Sequence, residues 1–224
     1  AAPTPVDASH PLFILYTSGS TGKPKGIVHA HGGYLTGLVA TSSIVFDLSP
    51  ARNDVFFVVA TPGWITGQSY MIAAALLCRT PSVLLEGAPV SPPDRFAAII
   101  ARHKVSILKA GSTFLRMVMT GGFAPRIAQH DLTSLRLGTF CAEPVNESVH
   151  AFACAHLTPK YINSYWATEH GGMVWSRLHD DTSPLRPDAR SWPLPWIAGE
   201  VMVDRAASAS GEKGDASVGT SAVT

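Results

Sequence analysis

Short strand-like runs alternate with helix-like runs along most of the 224-residue chain. The runs "VFFVVA", "SILKAG" and "LRLGTF" are apolar and suited to β-strands, whereas "DRFAAIIARH" and "STFLRMVMT" carry apolar residues at helical spacing. In "DRFAAIIARH", the side chains of Phe96, Ile99, Ile100 and His103 share one helical face. Such alternation is typical of parallel strands connected by helices. The sequence therefore predicts an α/β fold with mostly parallel sheets flanked by helices.

The composition argues against two classes of binding partner. Hydrophobic residues make up 46% of the chain and the formal net charge is +1, so neither a nucleic-acid surface nor a charged membrane surface is expected. The longest apolar runs, such as "MIAAALLC", are too short to span a bilayer, and "AAPTPVDASH" contains no export signal. Cys78, Cys141 and Cys154 lack metal-site spacing. Reduced thiols in a cytoplasmic protein are the simplest interpretation.

The end of the chain differs from the rest. The segment "DRAASASGEKGDASVGTSAVT" is poor in large apolar residues, which predicts a low-complexity tail or the start of another subdomain over 204–224. The chain also begins without Met and reaches a glycine-rich loop within its first twenty residues. We therefore expect residues 1–203 to be an incomplete part of a larger protein.

The loop "LYTSGSTGKPKG", residues 15–26, has the composition of a phosphate-binding site. Its glycines allow close backbone approach to an anion, and its hydroxyls and two lysines supply donors and charge. A flexible linker has a similar composition but seldom follows an apolar strand such as "LFILY". Pro24 directly after Lys23 excludes a Walker A loop, which needs a Ser or Thr there at the start of a helix.

Three further polar loops follow predicted strands. "ATPGWITGQSY" follows "VFFVV", "CAEPVN" follows "LRLGTF", and "NSYWATEHGG" follows "KYI". Each one alone is compatible with an ordinary strand–helix turn. Ligands of parallel sheets bind at the carboxyl ends of the strands, so we expect these loops and the glycine-rich loop to gather at one edge of a single sheet.

In this order, "YTSGSTGKPKG", "GWITGQSY", "AEP" and "NSYWATEHGG" resemble the signature motifs of the adenylate-forming superfamily. The resemblance runs from about Pro11 to about Val203. It is closest to the acetyl-CoA and propionyl-CoA synthetase branch, including the ligase part of multifunctional propionyl-CoA synthases. It implies that a carboxylic acid reacts with ATP to form an acyl-adenylate, from which coenzyme A displaces AMP. The implied cofactors and substrates are ATP, Mg²⁺, coenzyme A and a short acid.

The resemblance also assigns roles to residues of the phosphate site. Thr168 and Glu169 match a pair whose hydroxyl contacts the α-phosphate and whose carboxylate holds Mg²⁺, and together with Lys23 they are the implied catalytic residues. A single carboxylate is adequate for Mg²⁺ that is also bound to phosphate. The implied phosphate-binding residues are Thr17, Ser18, Gly19, Ser20, Thr21, Gly22, Lys23 and Lys25.

Two further sets follow from the resemblance. The implied adenine-binding residues are Ala142, Glu143, Pro144, Asn163, Ser164 and Tyr165, with Ala142 standing where the family has Gly. The implied acyl pocket consists of Trp64, Ile65, Thr66, Cys141 and Trp166. A lone Trp is more often a core residue than a site residue. As the pocket floor, Trp166 would restrict the acid to acetate, propionate, acrylate or 3-hydroxypropionate.

Some residues and alternatives remain open. His29 and His31 lack a third metal ligand nearby, so structural or supporting roles are favoured for them, and His170 has no assigned chemistry. The family's ribose-binding Asp and its C-terminal lid domain with a catalytic Lys are not visible, so we expect this chain alone to be inactive or very weak. A nucleotide hydrolase or kinase, and a non-catalytic nucleotide-binding module, are the competing hypotheses.

Overall fold

The computed structural model of the protein describes residues 2–18, 22–141, 145–183, 191–201 and 218–220. Within these ranges, no helix is both long and apolar enough to cross a membrane.

A five-stranded parallel sheet lies at the centre of the fold. Its strands are β3 (Phe56–Val59), β4 (Ser82–Val83), β5 (Ile107–Gly111), β6 (Leu137–Cys141) and β7 (Tyr161–Ile162). They are short apolar runs, as expected for strands that are covered on both faces. Their order in the sheet is β4-β3-β5-β6-β7, and every neighbouring pair runs parallel.

Helices cover both faces of this sheet, which confirms the predicted fold class. They are α1 (His31–Phe46), a π-helical segment (Gly67–Ala74) that continues into α2 (Ala75–Leu77), α3 (Arg95–His103), α4 (Ser112–Thr120), α5 (Ala124–Ile127) and α6 (Glu147–His156). Two short 3₁₀ turns span Pro50–Arg52 and Thr168–His170.

The core consists of two apolar clusters, one on each face of the sheet. Successive strand residues point to opposite faces, so Ile107 belongs to one cluster and Leu108 to the other. The first cluster packs α1 and the π-helical segment on the sheet, and the second packs α3, α4 and α6. Of the four residues that share the predicted face of α3, Phe96 and Ile100 are fully buried in the second cluster, Ile99 is half-buried and His103 at the end of the helix is exposed.

The expectation that all four loops come from one sheet is wrong. The glycine-rich loop joins β1 (Pro11–Thr17) to β2 (Lys25–Ala30) in a separate antiparallel pair. The run "KYINSY" divides at Asn163 into β7 and a second strand, which belongs to a three-stranded antiparallel sheet. Strand-like composition specifies an extended backbone and does not specify its pairing partner. The antiparallel strands are β8 (Ser164–Tyr165), β9 (Trp175–Ser176), β10 (Trp192–Pro193), and the pair β11 (Gly199–Val201) and β12 (Val218–Thr220).

A buried ion pair joins the amino-terminal ends of β3 and β6. The side chain of Asp54 is only 2% exposed, and Arg136 donates to it from Nε at 3.1 Å and from Nη2 at 2.9 Å. The backbone N–H of Ser49 donates to the same carboxylate at 3.0 Å. Burial by itself would raise the pKa of Asp54, but the bonds from Arg136, Ser106 and Ser49 and the charge of Arg136 outweigh it and lower the pKa.

We expect Asp54→Asn to destabilise the fold by about 3 kcal/mol, because it leaves a partly buried guanidinium without its partner. Because the pKa of Asp54 is lower in the folded state than the unfolded value of about 3.9, its contribution is complete above that pH and is lost as the pH falls through the folded-state pKa. Urea unfolding at pH 7 and pH 3 measures both effects, with the exposed Asp180→Asn as control. The prediction would be contradicted if both variants lost the same free energy of unfolding at pH 7.

Candidate active site

A cavity of about 620 Å³ forms where three of the four predicted loops meet. The loops come from the β1–β2 pair, from the segment after β3, and from the segment after β8. The tertiary structure therefore brings together residues that lie more than a hundred positions apart in the chain. The residues that line the cavity are Thr17, Ser18, Lys25, Trp64, Ile65, Thr66, Trp166, Ala167, Thr168 and Glu169.

The polar end of the cavity contains residues of the glycine-rich loop. Thr17 ends β1 and lies opposite Lys25, the first residue of β2, so the antiparallel register places a hydroxyl and an ammonium across from each other. Gly22 has a φ of +78°, a conformation that favours glycine. Lys23 is exposed and is not among the residues that line the cavity. Three predicted phosphate-binding residues, Gly19, Ser20 and Thr21, lie outside the described residues.

The apolar end of the cavity is made by the segment after β3 and by Trp166. Ile65 and Thr66 are buried and Trp64 is half-buried. The indole of Trp166 is 8% exposed and packs edge-on against the ring of Tyr70, with 5.1 Å between ring centroids. The predicted acyl-pocket residues Trp64, Ile65, Thr66 and Trp166 therefore lie together in the cavity. The side chain of Cys141 lies outside the described residues.

Gly67 allows the segment after β3 to pass close to the backbone of Thr61. A Cβ at this position would collide with the backbone carbonyl of Thr61. The chain then continues as the π-helical segment, and π-helical turns often occur at functional sites.

Thr168 and Glu169 lie on one 3₁₀ turn that ends at Gly171, whose φ is +74°. His29 of β2 contacts this turn, with its Nε2 2.8 Å from the carbonyl oxygen of Thr168. A carbonyl only accepts hydrogen bonds, so Nε2 carries the proton and donates. A Cβ at Gly171 would lie 2.9 Å from the His29 ring, so glycine is required for this approach. His29 thus contacts the turn that carries Thr168, a contact that the sequence did not indicate.

His170 stabilises the entry to the same turn. Its Nδ1 accepts a hydrogen bond from the backbone N–H of Ala167 at 3.0 Å, which requires Nδ1 to be unprotonated. Burial lowers the pKa of His170, which favours this neutral form. The other histidine that the sequence singled out, His31, contacts the carbonyl oxygen of His10 through Nδ1 at 2.9 Å.

The carboxylate of Glu169 is exposed at the cavity. No group of three or more His, Cys, Asp or Glu side chains suited to a metal ion occurs among the described residues. Mg²⁺ is commonly held by one or two carboxylates together with substrate phosphates and water. The donor set therefore fits a Mg²⁺ that arrives with a polyphosphate.

The predicted adenine-binding residues are only partly described. The side-chain nitrogen of Asn163 is buried, and it has no hydrogen-bond partner within the part of the chain that the structure describes. Buried donors are nearly always paired, so this amide fits an acceptor atom of a ligand. The hydroxyl of Ser164 instead donates to the carbonyl of Phe140 at 2.7 Å, and Tyr165 is half-buried. The stretch Ala142, Glu143 and Pro144 lies outside the described residues.

Comparisons with known proteins agree with these observations. The sequence profile of the AMP-binding enzyme family matches residues 1–222. An acetyl-coenzyme A synthetase of Chlorobaculum tepidum is 40% identical over 205 residues, which is 89% of this chain and 30% of that protein. An acetyl-coenzyme A synthetase of Streptomyces avermitilis is 41% identical over 210 residues, with coverages of 91% and 31%. The acetyl-coenzyme A synthetase of Pyrobaculum arsenaticum is 40% identical over 205 residues, with coverages of 89% and 30%.

The chain therefore spans about 30% of the length of the curated relatives that it matches. The profile match covers nearly the whole chain, including all the residues that line the cavity. On these grounds the chain belongs to the AMP-binding enzyme family, on the branch of the acetyl-coenzyme A synthetases.

Proposed function

We propose that this chain supplies the ATP- and acyl-binding part of a ligase that joins a short carboxylic acid to coenzyme A with release of AMP. The observation that carries the proposal is the two-ended cavity. One end has the hydroxyls of Thr17 and Ser18, the ammonium of Lys25 and the carboxylate of Glu169, and the other end is aromatic and apolar. A polyphosphate and the hydrocarbon part of a small acid fit these ends.

In the proposed first step, a carboxylate oxygen of the acid attacks the α-phosphorus of ATP. The bond from that phosphorus to the bridging oxygen of the β-phosphate breaks, and pyrophosphate leaves with the electron pair. In the second step, the thiolate sulfur of coenzyme A attacks the acyl carbon and AMP leaves. Both steps depend mainly on positioning and on neutralising negative charge.

The residues of the polar end provide these two functions. The ammonium of Lys25 neutralises phosphate charge, and the hydroxyls of Thr17, Ser18 and Thr168 donate to phosphate oxygens. Glu169 would hold Mg²⁺, which when bound neutralises phosphate charge. His29 orients Thr168 through the hydrogen bond to its carbonyl, and the buried amide of Asn163 would pair with the adenine ring. These assignments agree with the implied catalytic role of Thr168 and Glu169.

The apolar end limits the size of the acid. Trp166 lines the cavity and packs against Tyr70, and as the proposed floor of the pocket it would restrict the acid to acetate, propionate, acrylate or 3-hydroxypropionate. Thr66 is 1% exposed and lines the same cavity, and under this proposal its hydroxyl would hydrogen-bond to a hydroxylated acid. Under this proposal residues 1–203 form the binding part, and 204–224 is a tail or the start of the next subdomain.

The competing hypotheses differ in their products. With the natural full-length protein, α-labelled ATP, acetate or propionate, and coenzyme A, we expect AMP, pyrophosphate and the acyl thioester in equal amounts. A kinase or hydrolase would release ADP instead. ATP binding without any acid-dependent pyrophosphate release would support the non-catalytic module. Either result would contradict the proposed ligase.

A further inference from the structure

A lysine is buried in the middle of the central parallel strand. Lys109 belongs to β5, which is hydrogen-bonded to β3 on one side and to β6 on the other, and its side chain is completely inaccessible to solvent. An ammonium in the protein interior is costly unless its surroundings compensate for the lost water. The residues assigned to the phosphate site do not account for the burial of this ammonium.

Three aromatic rings surround the ammonium of Lys109. Its Nζ lies 4.8 Å from the ring centroid of Tyr70, 5.6 Å from that of Phe46 and 5.7 Å from that of Trp166. We call these three rings the aromatic cage. Cations within about 6 Å of a ring centroid are attracted by the ring, and more strongly when water is excluded. The cage therefore offsets part of the desolvation cost.

The ammonium also contacts polar atoms next to the cage. Nζ lies 3.4 Å from the hydroxyl of Ser164 and 3.8 Å from the sulfur of Met173. Ser164 is two residues before Trp166 in the segment that enters the cavity. Lys109 thus touches this segment at two places, at β8 and at the indole that follows it.

Contacts of its hydroxyl hold the ring of Tyr70 in place beside the ammonium. Its hydroxyl accepts a hydrogen bond from the backbone N–H of Met173 at 2.8 Å and lies 3.2 Å from the hydroxyl of Thr41. Tyr70 is itself fully buried. Lys109 therefore connects a rigid ring in the core to Trp166, the ring that lines the cavity.

Lys109 is not among the residues that line the cavity, and Trp166 is the lining residue that it contacts. An indole at the end of a pocket can rotate about its side-chain bonds when a longer ligand presses on it. Attraction to the buried ammonium opposes that rotation because the ring would have to leave the cation.

We propose that Lys109 is a positioning residue of the acyl pocket, whose ammonium holds the indole of Trp166 in place and so limits the length of the acid that is accepted. This inference rests on the proposed ligase function. It means that a core residue outside the pocket lining also determines which acids are accepted.

The test replaces Lys109 with Met in the natural full-length protein. Met has a similar length without charge, and apolar replacement of a buried charged group is often tolerated. We expect the ratio of kcat/KM for hexanoate to that for propionate, measured by pyrophosphate exchange, to rise about tenfold. We expect the same direction for Lys109→Gln. The control is Lys104→Met, which removes an exposed lysine from the turn after α3 and should leave the ratio unchanged.

A double-mutant cycle distinguishes positioning from general damage. In a Trp166→Gly background, Lys109→Met should not change the hexanoate-to-propionate ratio further, because the ring that it holds is absent. Continued increase in that background would overturn the proposal. Unfolding of both the Met and Gln variants would assign Lys109 to core stability instead and would also overturn it.

The failure of this inference and the failure of the proposed function give different results. The positioning role alone is overturned if the wild type shows normal acid-dependent exchange and both Lys109 variants keep its hexanoate-to-propionate ratio of kcat/KM to within about twofold. Absence of acid-dependent exchange in the wild type with every acid overturns the ligase function and this inference with it.

Discussion

Glu169→Gln in the natural full-length protein is expected to reduce acid-dependent pyrophosphate exchange by about two to three orders of magnitude. Glu169 is the carboxylate that the structure places at the cavity, on a turn held by His29. Glutamine keeps the shape of the side chain but removes the negative charge that Mg²⁺ requires. The loss should therefore be largest at low Mg²⁺ concentration and partly recover as Mg²⁺ is raised.

The matched control for this substitution is Glu86→Gln, since Glu86 is exposed and does not line the cavity. The control should retain exchange and Mg²⁺ dependence close to those of the wild type. Retention of exchange within about threefold by Glu169→Gln, with unchanged Mg²⁺ dependence, would show that this carboxylate does not hold the metal.

The second large effect is expected for Trp166→Gly, which should shift the acid preference toward longer chains. Removing the indole extends the apolar end of the cavity toward Tyr70. Each buried methylene is worth about 0.8 kcal/mol, so the three additional methylenes of hexanoate should raise its kcat/KM relative to propionate by roughly 50-fold. Steady-state pyrophosphate exchange with a series of acids from acetate to octanoate measures this profile.

Trp166→Gly also leaves a void in the core, and thermal unfolding must confirm that the variant is folded. Trp166→Leu, which leaves a smaller void, should shift the profile in the same direction by a smaller factor. Trp192→Gly serves as control because Trp192 is 70% exposed and lies on β10, outside the cavity. A wild type that already prefers hexanoate or octanoate, or an unchanged profile in both Trp166 variants, would disprove the role of Trp166 as the pocket floor.

The fold class could be predicted from the sequence because the pattern of apolar residues in each strand and helix indicates which of its faces are buried. The run "FFVV" is apolar without interruption, as a strand covered on both faces must be, and β3 is such a strand. The helical spacing of Phe96 and Ile100 likewise predicts the buried face of α3. The loop motifs were recognisable because their glycines, hydroxyls and lysines are contiguous in the chain. These signals depend on near neighbours, so the sequence alone determines them.

The tertiary structure alone decided which strands pair and which distant segments come into contact. The strand "PLFILYT" pairs antiparallel with β2 outside the parallel sheet, and "KYINSY" divides between two sheets at Asn163. A single lysine in "ILKAG" was a visible anomaly in an apolar strand, but the rings around it come from α1, the π-helical segment and the segment after β8. Likewise, His29 reaches the carbonyl of Thr168 across 139 positions of sequence. Such contacts depend on how distant segments pack, and the periodicity of a short window carries no information about that packing.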